Sequence, residues 1–217
     1  MHQRDCRIRT YAHLGSLVLV SAALVLAGTR TAAAQGGPPE DRISFPIVRS
    51  AKATGAGCLA DARGHVTVTS IGPVEIMRVN VSGLPPKTNF DFFVIQVPNT
   101  PFGLSWYQGD IETDDEGEAS QRFIGRFNVE TFIVAPGTAP APVVHDDGIF
   151  PDASSNPVTA PVHTYHLGLW FNSPADAVAA GCPGDVTPFN GDHTAGIQIL
   201  SSRNFPDDQG PLRQLVP

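Results

Sequence analysis

The sequence predicts an all-β fold: an antiparallel β-sandwich with one short helix near residues 174–180 and long proline-rich loops. Three observations carry this. In 75–82, Met77, Val79 and Val81 alternate with Arg78, Asn80 and Ser82, the two-residue period of a half-buried strand. After a break at Gly83, Pro85 and Pro86, residues 90–97 are apolar on both faces except at Asp91 and Gln96, as in a strand covered on two sides. Such runs recur between turn-rich segments, and a single stretch carries paired helix start and stop signals. Strands separated by turns, with one short helix, fit two stacked sheets better than a barrel or an α/β fold. A chain of 217 residues is long enough for one domain with a real core.

The first 34 residues are expected to stand outside that domain. Arg4, Arg7 and Arg9 precede an apolar run over 14–27, and Ala32, Ala33 and Ala34 then offer a small-residue cleavage site. The reading is a signal peptide cut near Ala34 and an extracytoplasmic, secreted product. The apolar run falls short of the roughly 20 residues of a membrane span, so the mature chain is expected to have none. Cys6 lies before the apolar run and cannot serve as a lipid-bearing cysteine. Arg4, Arg7, Arg9, Arg30 and Asp5 leave with the leader, so 14 basic and 21 acidic residues become 10 and 20, and the net charge moves from −7 to −10. A surface that acidic argues against nucleic acid or an anionic membrane as partner. Of the cysteines, Cys58 and Cys182 remain, and an even pair in an exported chain reads as one disulfide, with two separate thiols as the alternative.

Residues 35–60 read as an amino-terminal arm and loop, in which Ile43, Phe45 and Ile47 mark a short strand or an extended segment and the small residues of 51–57 a loop. The sandwich domain proper is expected over 61–217. Val66, Val68 and Ser70 alternate with Thr67 and Thr69. Beyond the 75–97 strand pair, 98–110 reads as a turn-rich loop carrying Trp106 and Tyr107. Residues 113–117 read as a hairpin loop with Gly117 at positive φ. The return strand points Phe123, Phe127, Val129 and Ile133 one way and Arg122, Arg126, Asn128 and Glu130 the other, with Gly125 as a bulge. Prolines forbid continuous structure over 135–162, a length typical of functional loops. In 163–172, His163, Tyr165, Leu167, Leu169 and Phe171 share one face, and Thr164, His166, Gly168 and Trp170 the other. The helix follows, with Ser173 as N-cap, Pro174 at the first position, Asp176 in the first turn and Gly181 as the stop. Residues 197–200 suit a final strand, and the tail from Arg203 is expected to wrap the outside.

The corner Leu84-Pro85-Pro86-Lys87-Thr88-Asn89-Phe90 resembles the LxPxTxY corner of fibronectin type III and related immunoglobulin-like sandwiches. The resemblance implies an immunoglobulin-like or jelly-roll-like sandwich, and it covers little beyond the corner and its two strands. Phe90 departs from it, having no hydroxyl to bond the upstream backbone, and about 120 residues follow where that family needs one further strand. The chain as a whole resembles secreted bacterial β-sandwich proteins, a resemblance that brings no activity with it.

Candidate chemistry is sparse. His163 and His166 lie three apart on a strand and therefore face opposite ways, so they cannot chelate one ion together. His166 with His193 and Asp192, or with the His145-Asp146-Asp147 loop, is the candidate metal set, for a metal carrier or a metal-dependent hydrolase. Asp110, Glu112 and Asp114 share a strand face and offer oxygen ligands for calcium, but Asp115 and Gln121 stand where an EF-hand loop needs glycine and glutamate. No GxSxG motif is present, and Ser154-Ser155 beside His145 is no triad by sequence proximity. Trp106, Tyr107 and Trp170 are the candidate binding platform for a glycan or a protein partner. Asn80-Val81-Ser82 matches a glycosylation acceptor. The expected function is non-catalytic binding or a structural role, with no required cofactor and the ligand surface on the loops 98–110 and 135–162.

Overall fold

The computed structural model describes residues 41–133, 162–188 and 194–216, all within the unit Gly36–Pro217. The expected leader with its cleavage point at Ala34, and most of the loop 135–162, lie outside the described residues. Elements run in the order β1 (Arg42–Arg49), α1 (Ala51–Ala56), β2 (Arg63–Ser70), β3 (Glu75–Ser82), β4 (Asn89–Ile95), β5 (Ser105–Glu112), β6 (Ala119–Gly125), β7 (Phe132–Ile133), β8 (Val162–His163), β9 (His166–Phe171), α2 (Pro174–Ala179), β10 (Thr187–Pro188), β11 (Thr194–Ala195), β12 (Gln198–Ser201) and a 3-10 turn over Pro211–Gln214.

Eight strands hydrogen-bond in the order β5-β4-β9-β12-β1-β2-β3-β6, every neighbour antiparallel. β1 belongs to both layers. Its residues from Arg42 to Ile47 pair with β2, and Val48 and Arg49 pair with β12. The sheet is thereby nearly closed into a barrel-like sandwich. Residues read as part of an arm are thus the strand that joins the two layers.

The alternation in the sequence sets the core. Phe45, Ile47, Val66, Val68, Met77 and Val79 from one layer meet Phe92, Ile111, Leu167, Leu169 and Phe171 from the other, all buried. Phe92 and Phe123 stack across the interior with ring centroids 5.4 Å apart. Fully burying each such side chain is worth about 1.5–3 kcal/mol. Phe127 is buried and Val129 packs partly buried on the same cluster, so the apolar face of the return strand does point inward.

Four local expectations need correction. The segment 51–57, expected as a loop, forms the helix Ala51–Ala56. The buried Ser50 accepts from Ala53 N at 3.0 Å and donates to Gln198 O at 2.6 Å, and Gly57 closes the helix in the left-handed region at φ 69°. The loop 98–110 is shorter than read, because β5 already starts at Ser105 and pairs with β4 through a bulge at Phe92/Phe93. The turn expected at 113–117 does form, closed by Asp114 N donating to Glu118 O at 2.9 Å and Gly117 N to Asp114 O at 3.2 Å, but the strands it links, β5 and β6, are the two ends of the strand order and form no ladder with each other. Gly117 does take positive φ, 75°, and a Cβ there would lie 2.0 Å from Leu84 O. Finally, β6 stops at Gly125. Glu75, fully buried, accepts from Phe127 N at 2.7 Å and from Asn128 Nδ2 at 2.9 Å, so Asn128 turns in instead of out.

The helix α2 forms as the sequence indicates, with Ser173 Oγ accepting from Asp176 N at 3.1 Å and Pro174 in the first turn. Cys182 just beyond it is disulfide-bonded to Cys58 just beyond α1, a link across 124 positions. The tail does not merely wrap the outside. Leu212 and Leu215 are buried in the core, and Leu215 O accepts from Val129 N at 2.8 Å. At the corner, Phe90 is buried and the hydroxyl of Thr113 does the bonding: it donates to Pro85 O at 2.6 Å and accepts from Thr88 N at 3.0 Å.

Candidate binding face

The two layers differ on their outer sides. On β4 and β9 the outward side chains are buried: Phe93, Ile95 and Trp170 pack with Ala195 beneath the partly buried Phe102. The outer side of β1, β2, β3 and β6 is open. Strand register places its residues in rows across the sheet. One row is Ser44, Thr67, Arg78 and Arg122; the next is Pro46, His65, Asn80 and Ser120. Most of these are exposed, because the inward positions between them already fill the core and antiparallel sheets tolerate one wet face.

Charge on this layer runs against that of the chain. The four strands hold Arg42, Arg49, Arg63, Arg78 and Arg122, and their one carboxylate is the buried Glu75. Arg78 and Arg122 stand directly opposite each other on neighbouring strands. Among the described residues, the ion pairs are Lys52–Asp185, Lys87–Asp115 and Arg126–Glu130, none of which involves either arginine. Beside them Ser44 Oγ lies 2.7 Å from His65 Nε2 and 3.0 Å from Thr67 Oγ1, a small polar network. A serine touching a histidine is half of a nucleophilic pair, but among the described residues no carboxylate bonds the other ring nitrogen to orient it.

The face deepens at one end into a trough of about 930 Å³. Arg49, Arg63, His65 and Arg203 line it together with Asn80, Ser82 and Ser120 and with Asp114 and Glu118 from the segment that leads into β6. Arg203 is held there by Nε donating to Arg49 O at 2.6 Å. Arg63 donates to Asp61 O at 3.1 Å.

Of the residues expected to form an aromatic platform, Tyr107 and Trp170 both pack against Phe93 on the outer side of β4, while Trp106 lies on the other side of the sheet. Trp106 and Tyr107 are consecutive on β5 and face opposite ways. Trp106 packs against the main core, donates Nε1–H to Gln108 Oε1 at 3.1 Å, and borders a 480 Å³ groove with Arg126 and the half-exposed Phe132. Tyr107 rests edge-on against Phe93 and donates to Asp110 Oδ1 at 2.6 Å. Burial against that cluster, then the hydrogen bond to and charge of Asp110 and the charge of Asp91, push its phenol above the ordinary tyrosine range. Trp170 is 0 % exposed, wedged edge-on between Phe93 and Phe102, and is packing instead of platform.

Of the candidate metal set, His145, Asp146, Asp147, Asp192 and His193 lie outside the described residues. His166 is buried with both ring nitrogens engaged, Nδ1 with Ser202 Oγ at 2.9 Å and Nε2 with Asp207 O at 3.2 Å, so an ion would have to displace one of them. Among the described residues no three of His, Cys, Asp and Glu gather as metal ligands. Asp110 is occupied by Tyr107, and Asp114 Oδ1 accepts from Glu116 N and Glu118 N, which makes it the brace of its turn. The arginine rows had a signal in the sequence, four strands rich in arginine and nearly free of acid, but only the register shows Arg78 and Arg122 to be adjacent.

Fold and face together define a disulfide-linked all-β sandwich with one covered layer and one open, cation-bearing layer. No protein-family model matches the chain, and no curated protein is significantly similar to it.

Proposed function

We propose that this is an exported, non-catalytic binding protein that holds a carbohydrate polymer on the open outer face of β1, β2, β3 and β6. The observation that carries the reading is the contrast between the two layers: one outer face is buried, and the other presents hydroxyl, amide, imidazole and guanidinium groups in register and leads into a 930 Å³ trough. Such groups bond sugar hydroxyls without demanding a deep pocket. The Cys58–Cys182 bond supports an oxidising, extracytoplasmic address, where such bonds persist.

The test is retention on a panel of neutral and charged glycans and on peptidoglycan, with the wild-type protein and a His65→Ala, Asn80→Ala double variant. The wild type is expected to be retained by at least one polymer, and the variant to bind it about tenfold more weakly, the loss of two hydrogen-bonding groups. Absence of retention on every polymer, or equal retention of both proteins, would overturn the reading.

A further inference from the structure

We infer that Arg78 and Arg122 together clamp the carboxylate of an acidic polysaccharide; this rests on the binding reading above and names its ligand class. Side chains directly opposite on antiparallel strands lie about 4.5–5.5 Å apart at Cβ, and like charges so placed repel. Among the described residues no carboxylate is paired with either guanidinium, although Asp114, Asp115, Glu116 and Glu118 lie in the segment that leads into β6. Charge at a sheet edge guards against aggregation, which accounts for Arg122 on the terminal strand β6. It does not account for Arg78, since β3 is paired on both sides. Two opposed guanidinium forks suit a shared carboxylate, which accepts charge-assisted bonds from both.

The surroundings select the kind of anion. Thr67 and Ser44 continue the same row, and His65, Asn80 and Ser120 form the next, so hydroxyl and amide groups flank the clamp. The adjoining trough holds Arg49, Arg63 and Arg203 together with Asp114 and Glu118, so its charge is mixed and the paired arginines are where an anion is selected. These two rows carry no phenylalanine, tyrosine or tryptophan on which unpaired nucleic-acid bases would stack. A peptide adding to this layer as a strand would have to take the free edge of β6, which leaves it one strand away from Arg78. The chain's overall negative charge does not oppose the contact at physiological salt, where charges beyond about 8 Å are largely screened.

The experiment is titration of the full folded protein with polygalacturonate, dextran and polyglutamate at physiological salt, comparing the wild type with an Arg78→Gln, Arg122→Gln double variant. Both side chains are exposed, and an unchanged or raised melting temperature establishes that the variant folds. The expected result is binding of polygalacturonate by the wild type, at least tenfold weaker in the variant, with dextran and polyglutamate bound weakly or not at all. Equal binding of polygalacturonate by both proteins would overturn the clamp. Polyglutamate bound as tightly, with the same loss in the variant, would reassign the site to an acidic peptide and overturn the glycan assignment. Dextran alone retained would overturn the anionic class and leave the carbohydrate reading standing, whereas retention of none of the three overturns the inference, with the wider glycan panel deciding the reading beneath it.

Discussion

Glu75 opens β3 and has no exposed surface, yet it is a carboxylate in the wall of an apolar core. Its two oxygens receive the backbone N–H of Phe127 and the side-chain amide of Asn128. It thereby turns the chain after β6 and lets Phe127 drop into the interior. Glu75→Ala would strand both buried donors, at about 1–3 kcal/mol each if no water replaces the carboxylate. Urea denaturation should show a lower midpoint at an unaltered slope, corresponding to about 2–6 kcal/mol of lost stability; an unmoved midpoint would mean that water satisfies the donors. Nothing in the sequence marks Glu75 for this. It precedes an alternating run like any edge residue, and its partners stand more than fifty positions away, beyond the reach of local pattern. The same holds for Thr113 at the corner, where the missing hydroxyl of Phe90 was visible in the sequence but its substitute was not.

At the level of elements, legibility followed how local the forces are. α2 was readable because its cap, its proline and its terminal glycine are written within nine residues. The helix α1 has equivalent ends, but Thr54 and Gly55 are poor helix formers and its interior offers no apolar stripe. What holds it is the burial of Ala53 and the double role of Ser50, which caps the helix and donates to Gln198 O on β12. Ser50→Ala is therefore expected to cost about 1–3 kcal/mol, more than a cap alone, because a buried acceptor on β12 loses its donor as well. Thermal melting against a Ser173→Ala control, which removes a partly buried cap, should show the larger drop for Ser50. β5 was read short for a similar reason: proline and glycine before Trp106 suggest a loop, whereas ladder bonds from β4 impose a strand. Strands β2, β3 and β4 are legible to within two residues, since alternation or double-sided burial is repeated within each, whereas the run expected as one strand over 163–172 divides into β8, paired with β7, and β9, because only long-range ladder bonds decide where it breaks.

For the whole molecule, the sequence indicated two stacked layers but not their nearly closed arrangement, because pairing order depends on contacts far apart in the chain. The disulfide acts at the same scale. Joining positions 124 apart, it removes about 4–5 kcal/mol of loop entropy from the unfolded chain in the entropic account. A Cys58→Ser, Cys182→Ser variant, or the reduced wild type, should melt about 10 °C lower or more. Melting curves with and without reductant check this; identical curves would show that the native layers need no such restraint.

β1 lies between β2 and β12, with most of the described chain separating it from the second of these neighbours. Until the last strand has been synthesised, the first therefore lacks one side of its ladder, and the bridge between the layers stays unmade. Pairings this remote form slowly and late. Only this bridge has to wait, because β1, β2 and β3 follow one another in the chain and can pair as they emerge; the open layer can therefore assemble before the covered one is joined to it.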